Sequence, residues 1–332
     1  MNISRIQKKS PPHIRSSRTA PLIMLDVIVA LIPLYIMAYL YYGFRPVFLG
    51  VTGIVTCLIS SWICSLISAK KINFYDFSPI VTGMLIPLLL PASIDYSIAV
   101  CACLFAVVVV KYPFGGSGCN FFNPTAAAIA FAAFCWPSKI FSYTQPLEKL
   151  PLFENITATV QSPAYLIKDG ALPNLDTTDL LLGNFAGPMG APYILVLIAC
   201  FLFLLFRRVV SLGSTLSFFA AAALMFTLFP RISSGDIPTL LLEFSSGSIV
   251  LGGIFLVNDP ATAPKRNVPK FVYGFFIGIV TVLFRYYGGF EQGVMFAVLL
   301  ANIFSPTLDI LYEKLIYYVR RVRIVKENEI SQ

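Results

Sequence analysis

Ten apolar runs, separated by short polar or punctuated stretches, account for most of the chain. They lie at roughly 22–42, 47–69, 77–92, 95–112 and 122–136 and, beyond the polar interval 137–190, at roughly 191–206, 212–229, 238–258, 270–287 and 293–312. A helix needs about 20 apolar residues to cross a bilayer, so most of these runs predict transmembrane helices. The third and fifth are short, and predict helices that enter partway or are completed by broken backbone. The first run is too long for the core of a cleaved leader and no small-residue cleavage site follows it, so it predicts a retained anchor.

Two punctuated stretches interrupt this pattern. GGSGCNFFNP, Gly115 to Pro124, sits between the fourth and fifth runs, and VNDPATAP, Val257 to Pro264, closes the eighth. Glycine opens backbone conformations closed to other residues, and proline removes an amide donor and steers the preceding residue away from helix. Lipid cannot satisfy freed backbone groups, so each stretch predicts an interior site. Paired interruptions of this kind point to a central binding site in repeat-built membrane proteins.

Composition agrees with the pattern. The chain is 57% hydrophobic and 12% charged, with a mean hydropathy of +0.80, which is membrane-protein composition. In a soluble protein the net charge of +8 would suggest nucleic acid; here the expected partner is the lipid bilayer, because the cations gather at run ends. With the N-terminus inside, only Arg45, Lys139, Lys149, Lys168, Arg231 and Arg285 of the 24 lysines and arginines fall outside. That bias predicts ten spans with both termini cytoplasmic.

The halves resemble each other. Asp76–Ser93 is similar to Glu243–Thr262, Lys111–Gly116 to Arg285–Gly289, and Asn120–Pro124 to Asn302–Pro306. Five spans per half invert the second half relative to the first. The predicted fold is therefore an all-α integral membrane protein of about ten transmembrane helices in two inverted five-helix repeats, with broken helices. Residues 1–20 form a cytoplasmic tail, 21–136 the first repeat, 137–190 an extracytoplasmic loop, 191–312 the second repeat and 313–332 a second cytoplasmic tail.

Chemistry-bearing residues are few. The one histidine, His13, lies in the N-terminal tail, and the seven cysteines show no metal-ligand spacing, so no metal site is expected from this chain alone. No nucleophile–base pair or nucleotide-binding loop is present, and no catalytic residue is assigned. Asp26, Glu243 and Asp259 are ionisable groups within or ending apolar runs, and could line an ion or proton path or cap and anchor helix ends. The loop segment Asn155–Gly170 gathers hydroxyl residues, a pattern that solvated turns also show.

SPPHIRSSRTAPLIMLDVIVALIP, the GGxGxNxFNP stretch, LLLGN, DPATAP and YYGGFEQGVMFAVLLANIFSPTLD resemble the membrane family formed by the D subunit of the Rnf ion-translocating oxidoreductase and the B subunit of the sodium-translocating NADH:quinone oxidoreductase. The similarity runs from about Pro11 to Asp309. It implies a subunit of a prokaryotic plasma-membrane complex that moves electrons between ferredoxin or a similar donor and NAD, coupled to Na⁺ or H⁺ transport, with the other subunits of an Rnf-type complex as partners. It also implies FMN, joined through its phosphate to a threonine of an S/T-G-A-T motif. The aligned segment here is Thr159-Val160-Gln161-Ser162, which makes Ser162 the implied acceptor, with Thr159 and Thr157 as alternatives. A second flavin held without a covalent bond at the broken stretches would meet Gly115, Gly116, Asn120, Asn123 and Thr262. A stand-alone secondary transporter or channel, or a flavin-free structural subunit, fits the same span pattern.

Overall fold

A computed structural model describes residues 19–69, 75–116, 118–154, 156, 158–171, 173, 175–231 and 236–330, with backbone alone for 236–238 and 320–330. Most of the predicted N-terminal tail and Thr157 therefore lie outside the described residues. Each of the ten apolar runs forms helix. In the first half these are α1 (Ala20–Tyr42), α2 (Arg45–Ile67), α3 (Ser78–Leu89), α4 (Tyr96–Leu104, continued in wider turns through Phe105–Lys111) and α5 (Pro124–Cys135). The interval 137–190 holds three short helices, α6 (Pro137–Ile140), α7 (Pro163–Lys168) and α8 (Thr177–Leu182). The second half comprises α9 (Ile194–Phe206), α10 (Leu212–Leu228), α11 (Asp236–Ser245), α12 (Ile249–Leu251, continued in wider turns through Gly252–Leu256), α13 (Asn267–Tyr287) and α14 (Val294–Ile330). Among the described residues there is no strand, only an isolated bridge between Tyr143 and Val160.

Four of these helices, α1, α2, α13 and α14 as far as Val319, are long and apolar enough to span a membrane, and a fifth span is bent by 70° between α11 and α12. The remaining apolar helices are shorter. At 12 residues, α3 is only about 18 Å long, well short of the hydrocarbon core. Its free end is completed by another part of the chain: the Leu88 and Leu90 carbonyls accept from Gly190 N–H and Met189 N–H at 2.8 and 2.9 Å. Residues 186–191 thus supply the donors that lipid lacks.

Contacts sort the segment ends into two groups. Arg207 reaches Asp26, Lys111 reaches Ser78, and Ser305 reaches Thr262, which defines a proximal end beside Thr19. Arg45 reaches Ala92 and Pro151, Lys139 pairs with Asp95, and Ser162 meets Glu291, which defines the distal end. Residues 76–93 run from proximal to distal and 243–262 the other way, and Lys111 is proximal where Arg285 is distal. Both of those sequence similarities therefore relate segments of opposite direction, as an inverted repeat requires.

The interruptions Gly115–Pro124 and Val257–Pro264 are at the same end. One sequence reading is corrected by this geometry: Asn120–Pro124 and Asn302–Pro306 are not mates in an inverted repeat, because both lie at the proximal end, where the Asn302 side-chain oxygen accepts from the Asn123 N–H at 2.8 Å. The bend between α11 and α12, in Ser245-Ser246-Gly247-Ser248, is a further break inside what periodicity suggests is one span.

Close packing of the second half rests on small residues. A Cβ on Gly274 would collide with the Ser214 carbonyl oxygen, and one on Gly278 with that of Phe218. Spaced four apart, these glycines let α13 approach the backbone of α10, which is how helices associate where water gives no hydrophobic drive. Large apolar side chains such as Leu40, Ile63, Leu202, Leu216, Phe271 and Ile310 point outward, as a lipid-facing surface requires.

Candidate functional site

At the proximal end a cavity of about 510 Å³ opens among α1, α2, α3, the loop after α4 and the stretch after α12. Both interruptions predicted from sequence line it. Gly115 and Gly116 take φ of 115° and 92°, and after this left-handed turn the chain re-enters helix at Asn123. The Asn123 side chain accepts from Ala126 N–H at 3.1 Å, an N-cap, and Pro124 occupies the first helical position, where its missing N–H costs nothing. Opposite, Asn258 is held from all sides: its Oδ1 accepts from Ser211 N–H and Ser214 Oγ, and its Nδ2 donates to Thr215 and two carbonyls. Asp259 accepts from Thr262 Oγ1 at 2.9 Å and lines the cavity.

The cavity wall is of two kinds. Met24, Val27, Leu58, Leu85, Leu204 and Phe255 make it apolar on one side, whereas Asp76, Ser78, Asn120, Asn123, Asn258 and Asp259 make it polar on the other. Lys111 is fully buried beneath the polar side and donates to Ser78 Oγ at 2.6 Å, with the Asp76 and Asp259 carboxylates near enough to offset its charge. Asn120 is 9% exposed, and its Oδ1 has no hydrogen-bond partner. A buried amide oxygen without a donor costs about 1–3 kcal/mol, so this atom is suited to an N–H or O–H of a bound molecule. A volume of a few hundred Å³, an apolar wall and a few convergent polar groups are the general features of a small-molecule or cofactor pocket.

Of the residues singled out from sequence, Gly115, Gly116, Asn120, Asn123 and Asp259 line this cavity, and Thr262 stands behind it as the partner of Asp259. Asp26 does not reach it. Its carboxylate pairs with Arg207 at 2.8 Å, across α1 and α9. Glu243 lies at the distal end, fully buried between Arg231 at 2.8 Å and Arg285 at 3.1 Å. The Arg285 guanidinium also donates to the Glu243 and Ser246 carbonyls at 3.0 Å, satisfying backbone freed by the bend after α11. Two of the three carboxylates expected on an ion path are thus already matched by guanidinium groups.

Ser162 and Thr159 are distal, so they do not join the cavity residues in one site. Thr159 is exposed beside the bridge to Tyr143, and Thr157 lies outside the described residues. Ser162 is 2% exposed and caps α7: its Oγ accepts from Tyr165 N–H at 3.1 Å and donates to Glu291 Oε2 at 2.5 Å. Burial pushes the Glu291 carboxyl above its usual value, while this bond pulls it down. Sequence reasoning overlooked Lys111, Arg285 and Glu291. The first two occupy matching places in KYPFGG and RYYGG, and that match was the available signal.

The sequence matches known proteins over nearly its whole length. The model of the family described as NQR2, RnfD, RnfE matches residues 7–317. The chain is similar to the D subunit of the Na(+)-translocating ferredoxin:NAD(+) oxidoreductase complex of Acetobacterium woodii, at 29% identity over 97% of this chain and 98% of that one. It is also similar to the D subunits of the ion-translocating oxidoreductase complexes of Pseudomonas paraeruginosa (29% identity, 95% and 94% of the two chains) and Aliivibrio salmonicida (26%, 90% and 95%).

Proposed function

Since the chain belongs to the NQR2, RnfD, RnfE family, we propose that it is the membrane subunit of an ion-translocating oxidoreductase complex in a prokaryotic plasma membrane, relaying electrons between ferredoxin or a similar donor and NAD and coupled to movement of Na⁺ or H⁺. Other subunits of an Rnf-type complex are its partners, because this chain offers neither a nucleotide loop nor a cluster ligand set of its own. The observation that carries an electron-relay reading, as against a scaffold alone, is the unpaired Asn120 oxygen facing a half-apolar, half-polar cavity formed by both interruptions.

The group proposed for that cavity is a flavin held without a covalent bond. When bound, a flavin supplies stepwise one-electron chemistry that neither the side chains nor the backbone can supply. The chain's own residues would hold and tune it. Asn120 Oδ1 would accept from a ring N–H, and the buried Lys111 ammonium, shared among Ser78, Asp76 and Asp259, would set the field at the polar edge. Leu85, Leu204 and Phe255 would exclude water from the other edge, which strengthens every electrostatic contact inside. Asp259, facing the same space, is the carboxylate proposed to take up a proton or cation as charge arrives.

Affinity purification of the tagged chain from its own membranes, in mild detergent, tests this. Partner subunits and dialysable flavin should accompany the wild type, and Asn120→Leu should lower flavin content at least about tenfold while partners remain bound. Partners without flavin would leave a structural subunit. A chain isolated alone that moves ions in liposomes would favour a stand-alone transporter.

A further inference from the structure

The distal loop is fastened at both ends of α7 to the turn between α13 and α14. At its start Ser162 Oγ donates to Glu291 Oε2, and at its finish Lys168 Nζ donates to the Gly288 carbonyl at 3.1 Å. Tyr143, whose carbonyl accepts from Val160 N–H at 2.7 Å, brings its hydroxyl to the same place, where Gln292 Nε2 donates to it at 3.1 Å. The same loop is sewn to the first half by Arg45, which donates to the carbonyls of Pro151 and Glu154 at 2.8 and 2.9 Å, and by Leu150 N–H on the Tyr42 carbonyl.

We propose that Ser162 is a structural latch, joined to Glu291 to hold the distal loop across both halves of the molecule, and that its hydroxyl is not the attachment point of a flavin phosphate. Three features of the site carry this. Its oxygen already uses both kinds of bond available to it, accepting from Tyr165 N–H and donating to Glu291. Its side chain is 2% exposed, so an ester there would have to be buried or α7 unseated. A phosphodiester bears a negative charge, and this one would replace a donated proton with that charge directly against the Glu291 carboxylate. Like charges at that distance in a buried place repel strongly. Val160 and Gln161 complete the disagreement with the S/T-G-A-T pattern, since bulk stands where it has Gly and Ala. The proposal is independent of the cavity flavin: an ester survives denaturation, whereas a ligand held by contacts does not.

Trypsin cleaves after Lys149 and Lys168, releasing a peptide 150–168 that contains Ser162, Thr157 and Thr159. Mass spectrometry of this peptide, from the full chain purified out of its native membranes, should find Ser162 unmodified. An FMN adduct located on Ser162 would overturn the proposal. The latch itself is read by amide hydrogen exchange over 158–170 in the intact protein. Ser162→Ala and Glu291→Ala should each speed exchange about tenfold or more, the double variant should add little, and Ser162→Thr should exchange like wild type. Exchange unchanged in both alanine variants, or fully additive effects, would sink it.

Discussion

Lys111 and Arg285 show how a single buried cation can organise each end of a membrane helix pair. Each closes a helix, each is wholly enclosed, and each reaches the start or bend of a segment that the repeat relates to the other's: Lys111 to Ser78, Arg285 to Ser246. They differ in what neutralises them. Arg285 has Glu243 in contact, with Arg231 closing the other side of that carboxylate over the Tyr286 ring. Lys111 instead donates to Ser78 Oγ beneath the cavity wall, with the carboxylates of Asp76 and Asp259 nearby. Removing Glu243 would strand a buried guanidinium, so Glu243→Ala should destabilise the fold by about 3–5 kcal/mol, seen as a large fall in detergent thermal unfolding temperature. A carboxylate serving only an ion path would leave that temperature unchanged. Asp26 and Glu243 were legible as buried charges, but their arginine partners are 181 and 12 or 42 residues away in sequence and could not be paired by spacing.

At the scale of elements, span positions follow from apolar run length, and the observed helices match the runs read from sequence to within a few residues, except that α14 runs on to Ile330. Helix continuity does not follow in the same way. Periodicity suggests one eighth span, yet the chain bends by 70° at Ser245–Ser248, because Arg285 offers donors to the carbonyls that the bend releases. The contact between α10 and α13 is equally a matter of backbone approach. Gly278→Leu should force the helices apart and abolish a monodisperse peak in fluorescence-detected size exclusion, whereas Gly289→Ala, which meets nothing, should not. The short helices α3 and α5 were legible as short. What completes α3, a pair of amides from 189 and 190, was not, since a loop gives no periodic signal of where it will insert.

For the whole molecule, alternating helix directions place Thr19 and the later turns of α14 at one end and the 137–193 interval at the other. Reporter fusions at the two termini should therefore report the same compartment, with an insertion after Glu148 reporting the opposite one. Termini reporting different compartments would remove an odd number of passes and with it the inverted relation of the halves. The cavity and the distal latch lie at opposite ends, so the residues named from family resemblance belong to two places rather than one. Gly115, Gly116, Asn120 and Asn123 converge on the cavity, and Ser162 and Thr159 do not.

Run length, charge bias and glycine–proline punctuation are local properties, and lipid punishes any departure from them, so the sequence alone determined an all-helical membrane protein with ten apolar segments and interior breaks at Gly115–Pro124 and Val257–Pro264. Only the tertiary structure decided that these two breaks share one cavity, that Asn120 is left without a donor there, and that Ser162 is spent on Glu291. Those facts depend on which distant groups meet, and a buried hydrogen bond leaves no trace in spacing: Ser162 and Glu291 are separated by 129 residues and joined by a single proton.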